Sequence, residues 1–151
     1  MAANNDPIYS KASDYQGSAL ITTAASVVYD ISGTIGTDIY KVFTADSTNG
    51  GFVQKLRFKY AANGTTTSVA AVIKIWISSV TSGTPTIGTN AWFYDEVNIP
   101  ATGALTTTSS GPVYEVPFNF PIPAGYTILC KVTVSQTAST GWLCSVIAGK
   151  Y

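Results

Sequence analysis

The chain has 151 residues, net charge zero, 46% apolar and only 11% charged residues, and no histidine. That length fits one domain with a core of its own, and the charged fraction is well below the usual figure of about 25%. Neutrality removes the case for nucleic-acid binding, which calls for a basic patch or stripe, and favours association over mutual repulsion. No run of apolar residues is long enough for a transmembrane helix. The opening residues show no basic region followed by an apolar stretch. The expectation is therefore a chain made and kept in a cytoplasm until assembly or lysis.

Residues 1–18 are polar, with Ile8, Tyr9 and Tyr15 as isolated apolar points. They lack alternation and read as an extended N-terminal arm, tied either to its own domain or to a neighbour. From residue 19 onward the pattern changes to period-two alternation broken by turn residues, which is the mark of strands. Eight strand-like segments follow: 19–31, 38–45, 51–61, 67–79, 91–99, 113–120, 126–135 and 141–148. In the third, Leu56, Phe58 and Tyr60 share one face and Lys55, Arg57 and Lys59 the other. Successive strand side chains point to opposite sides, so one face is core and one is wet. The basic stripe reads as a solvated face, an edge guarded against aggregation, or a patch for an acidic partner.

In the fifth segment the alternation places Phe93, Val97 and Ile99 in the core and turns Trp92 and Tyr94 outward, beside Glu96 and Asn98. Outward Trp and Tyr are enriched at interface hot spots. They also suit stacking on a sugar ring, unless the strand is covered on both faces. In the sixth, Tyr114, Val116, Phe118 and Phe120 share a face, and Pro117 marks an edge strand or bulge because proline cannot donate to the ladder. In the seventh, Ile128, Cys130, Val132 and Val134 face inward against Lys131 and Thr133. The eighth, from Trp142 to Ile147, is apolar on both faces, as a central or subunit-covered strand would be. Asn49-Gly50-Gly51, Asn63-Gly64 and Pro121-Ile122-Pro123-Ala124-Gly125 supply turns. Many short strands at this spacing predict a single all-β domain over 19–151, a β-sandwich read as an eight-stranded jelly roll, with a seven-stranded immunoglobulin-like sandwich as the alternative.

Cys130 and Cys144 read as two buried reduced thiols, or as a cross-strand disulfide if their strands form one hairpin turning at Thr137. The search for chemistry is otherwise nearly empty. Without histidine there is no His-dependent triad and no usual zinc ligand. Asp95 and Glu96 are adjacent and point to opposite faces of a strand, so they cannot act together on one bond. No cofactor, metal or catalytic residue is expected, and a small glycosidase or esterase is a remote reading.

Four stretches resemble small structural proteins of tailed bacteriophages. They are Asn5-Asp6-Pro7-Ile8-Tyr9-Ser10-Lys11, the run from Thr48-Asn49-Gly50-Gly51 to Phe58, Pro121–Gly125 followed by Tyr126, and the closing Gly149-Lys150-Tyr151. The resemblance implies a virion component, most like a capsid decoration (cement) protein. Such proteins sit on the exterior of the shell, commonly as trimers, and brace neighbouring major capsid protein subunits. On that reading Ile8, Tyr9, Tyr15, Trp92 and Tyr94 are the interface residues, with no nucleic-acid or membrane partner. The alternative is a glycan- or receptor-binding module on a phage tail, fibre or head spike, with Trp92 and Tyr94 stacking on a sugar.

Overall fold

The structure is a computed structural model that describes residues 12–14, 19–22, 31–62, 66–105, 109–138 and 140–151, with the backbone alone for Ala12–Asp14 and Ala19. Ile8, Tyr9 and Tyr15 lie outside the described residues. Nine strands and no helix occur among those described: β1 (Ala12–Asp14), β2 (Ala19–Ile21), β3 (Tyr40–Thr44), β4 (Gly51–Ala62), β5 (Ala71–Ser78), β6 (Ala91–Ile99), β7 (Val113–Ile122), β8 (Thr127–Val132) and β9 (Thr140–Lys150). They form two antiparallel sheets packed as a β-sandwich. The first has the order β1-β9-β4-β7, with β2 pairing β9 beside β1, and the second has the order β3-β8-β5-β6.

The pairing is nested. β5 pairs with β6, β4 with β7, β3 with β8 and β2 with β9. A core fills the space between the sheets. Val53, Leu56, Phe58, Tyr60, Val116, Phe118, Trp142, Cys144 and Val146 come from the first sheet, and Phe43, Ile73, Ile75, Ile128, Cys130 and Val132 from the second. Each large side chain removed from water contributes roughly 1.5–3 kcal/mol, so this layer dominates the stability. The alternations read from β4 and β7 hold: Leu56, Phe58 and Tyr60 are buried, while Lys55, Arg57 and Lys59 face out. β7 is an edge strand, as Pro117 requires, and its bulge places Asn119 at φ +55°. β9 lies inside its sheet, and of its two apolar faces one is core while the other, with Leu143 and Ile147, is on the outer face of the sheet.

Some expectations are corrected by the packing. Of the predicted 19–31 strand, β2 ends at Ile21, residues 23–30 lie outside the described ones, and Ile31 belongs to a separate layer. There Ile31 and Ile39 close over the outer face of the second sheet, against Trp76, Ala91 and Leu129. β8 is therefore buried on both faces, and Lys131, expected on a wet face, is 1% exposed, with its Nζ donating to the Ser32 carbonyl at 3.2 Å. Val134 is the other departure. It falls beyond the end of β8 and is exposed. Part of the arm is tied to its own domain, because Ala12–Asp14 pair with Ala148–Lys150.

At one end of the sandwich the Asp46–Gly50 turn meets the turn that leads into β8. The Gly125 N–H donates to the Asp46 carbonyl at 3.0 Å, and the Ala45 N–H to the Tyr126 carbonyl at 2.9 Å. The Asp46 carboxylate accepts from the Asn49 and Thr48 N–H groups at 2.8 and 2.9 Å, which holds its pKa below the ordinary value. Gly50 sits at φ +81°, and a Cβ there would lie 2.6 Å from the Ile122 carbonyl oxygen. Both the conformation and the space demand glycine. Gly50→Ala is expected to cost roughly 1–3 kcal/mol, read as a lower midpoint in thermal unfolding.

Candidate interaction surface

The aromatic run of β6 is re-aimed by a β-bulge. Ile75 pairs with Asp95 and Trp76 pairs with Phe93, so Tyr94 is the extra residue. One extra residue reverses the parity of everything before it. Val97 and Ile99 pack inward as the alternation predicts, but Phe93 does not. It turns to the outer face of the second sheet, is 49% exposed, and meets Trp76 edge-on at 5.0 Å. The Lys74 ammonium lies 5.6 Å from the Phe93 ring centre, within reach of a cation–π attraction.

Tyr94 is corrected in the opposite sense. It turns into the seam between β6 and β7, half-buried, with its ring stacked 4.0 Å from Phe118 and tilted against Phe120 at 5.5 Å. Its hydroxyl donates to the Pro117 carbonyl at 2.9 Å. Burial, and secondarily the Asp95 carboxylate beside it, push its phenol pKa up. Tyr94 clasps the open edges of the two sheets and is not a free contact residue. Trp92 remains exposed, at 41%, although it emerges on the side that faces the other sheet. Its indole stacks on Tyr126 at 6.0 Å with 16° between the planes.

Trp92 and Phe93 thus emerge on opposite sides of one edge strand, both at its rim, and Asp95 and Glu96 follow them. Glu96 reaches Lys74 at 3.7 Å, and Asp95 accepts from the Glu96 N–H. Nothing pairs either acid with Glu115, which is on β7 in the other sheet, 2.9 Å from Lys55 and 3.9 Å from Arg57. Among the described residues no cluster of acids, cysteines and histidines is arranged to hold a metal ion.

The outer face of the first sheet is the second exposed surface. Along it Lys55 lies beside Ile147 and Pro117, Arg57 beside Ser145 and Glu115, and Lys59 beside Leu143 and Val113. Exposed apolar side chains are therefore interleaved with the basic stripe. The ion pairs there are solvent-exposed and contribute about 0–1 kcal/mol each. Sequence reasoning missed Phe93, because a bulge without glycine or proline leaves no mark in the alternation. Ile147 was read only as part of a strand apolar on both faces.

No protein-family model, no curated protein and no solved structure matches this chain.

Proposed function

We propose that this chain is a non-enzymatic structural protein of a tailed-bacteriophage virion. It decorates the capsid exterior and stabilises it by bridging major capsid protein subunits, acting as a homo-oligomer, with a trimer favoured. The observation that carries the reading is the β6 rim. Two large aromatics, Trp92 and Phe93, stand exposed at an edge strand on a rigid sandwich. Exposed aromatic anchors of this kind are what protein interfaces bury at their centres. The resemblance of the 48–58 and 121–126 runs to phage structural proteins supplies the partner. Many identical copies on a shell would turn modest contacts into firm attachment by avidity.

The nested pairing of β2 with β9, β3 with β8, β4 with β7 and β5 with β6 supports a jelly roll, since one long hairpin rolled over two sheets has that order. In this reading Ile8, Tyr9 and Tyr15 of the arm add reach toward the neighbouring subunit. Tyr94 is withdrawn from the contact set, and Phe93 takes its place.

Glycan binding on a tail, fibre or head spike is the second reading. It is favoured by the exposed Trp92 indole, backed by Tyr126, with the Asp95 carboxylate two residues past Phe93. Co-sedimentation with undecorated phage capsids tests the first reading, and a glycan array with wild type and Trp92→Ala tests the second. Saturable capsid binding with a silent array is expected. An array signal that Trp92→Ala removes, without capsid binding, would reverse the assignment.

A further inference from the structure

The premise of a Cys130–Cys144 hairpin does not hold. Cys130 is on β8 in the second sheet and Cys144 on β9 in the first. They nevertheless meet. Each strand is internal to its sheet: Cys130 lies between Tyr40 of β3 and Ile75 of β5, and Cys144 between Ala19 of β2 and Phe58 of β4. Both side chains are 0% exposed and belong to the one core cluster that fills the space between the sheets, so the two thiols enter the same layer from opposite sides, and Cys144 acts on the Cys130 thiol there. Both are free thiols in this structure.

We propose that Cys130 and Cys144 are a redox modification site: a dithiol that oxidises to one intramolecular disulfide tying the two sheets together at their centre. An inter-sheet disulfide between internal strands is an established solution in antibody-type sandwiches. A bridge requires the two sulfurs to approach to the roughly 2 Å bond length. The reaction is thiol–disulfide exchange with a low-molecular-weight disulfide such as oxidised glutathione. One cysteine, as thiolate, attacks a glutathione sulfur and releases the first reduced glutathione. The second then attacks the mixed disulfide and releases the other. Two protein thiols lose two electrons and two protons, and one glutathione disulfide becomes two thiols.

Burial controls when this happens. It pushes the Cys130 thiol well above its ordinary pKa, and the Cys144 contact adds to the shift. The closed core therefore holds little Cys130 thiolate, and at 0% exposure neither sulfur is open to a reagent. Oxidation proceeds during folding or transient opening, and the pair, once joined, is shielded from reductants in the same way. The domain has a looser reduced form and a locked oxidised form. This holds whatever partner the chain binds.

The test equilibrates the intact chain with oxidised and reduced glutathione over a range of ratios, at a temperature where the core opens. Samples are acid-quenched, unfolded and alkylated, then read by intact mass, peptide mapping and thermal melting. The expected product lacks two hydrogens, maps to Cys130 joined to Cys144, and melts higher than the reduced chain by roughly 6–12 °C. Cys130→Ala and Cys144→Ala, if they fold, should show no redox-dependent shift. Two alkylatable thiols at every ratio, glutathione adducts or intermolecular bridges alone, or a disulfide that leaves the melting temperature unchanged or lower would each overturn the proposal.

Discussion

Trp142→Ala is expected to lower the unfolding free energy by about 3–5 kcal/mol, the cost of deleting a large aromatic from a core. Trp142 is fully buried, with its ring 5.5 Å from Tyr60 and 5.5 Å from Tyr114. Its strand is held in register by β4 on one side and β2 on the other. Those walls cannot collapse into the vacated space without breaking ladder hydrogen bonds, so most of the cavity persists. Domains of this kind have about 5–15 kcal/mol in total, and a large part of that would be gone. Trp142→Phe should cost about half as much or less, because it keeps a ring in the site. It also orphans no acceptor, since the indole N–H has no hydrogen-bond partner among the described residues. Denaturant unfolding with an unchanged slope reads both values. A loss below about 1 kcal/mol for the alanine variant would show that the indole does not fill the core.

The double variant Trp92→Ala/Phe93→Ala is expected to lose attachment to capsids while keeping its fold. An interface anchor contributes about 2 kcal/mol or more, near 30-fold in Kd, so the pair should cost on the order of 10³-fold. The two residues are adjacent and will not add perfectly. Partly exposed side chains at a rim contribute less to folding than buried ones, so the melting temperature should shift by only a few degrees. Tyr94→Phe is the informative control. It removes the hydroxyl that donates to the Pro117 carbonyl and should cost about 1 kcal/mol of stability, with attachment unchanged. Co-sedimentation of purified variants with undecorated shells separates these outcomes. Unimpaired binding by the double variant would remove the β6 rim from the interface.

The strand content and the two-layer architecture were legible because a half-buried strand writes its two faces directly into the residue order. β4 and β7 show this most plainly, down to Pro117 on an edge. The sequence was silent where a third element covers a sheet. Lys131 looks like a wet-face residue by alternation, and only the Ile31–Ile39 layer buries it. It was misleading at β6, where one inserted residue exchanges the roles of Phe93 and Tyr94. The cysteines illustrate the same limit. The inward direction of Cys130 followed from alternation, but its position opposite Cys144 across two sheets depends on topology, and the hairpin that the disulfide reading required is replaced by a crossing from one sheet to the other.

As proposed, this chain braces a phage shell from outside. The decisive experiment is cryo-electron microscopy of intact, purified phage particles produced from a genome that carries this coding sequence. Density for the sandwich is expected at repeated positions on the outer surface of the head, spanning the seams between major capsid subunits, with the Trp92–Phe93 rim of β6 buried against them. Particles that lack the chain, or that carry it only at the tail tip with that rim facing solvent, would contradict it.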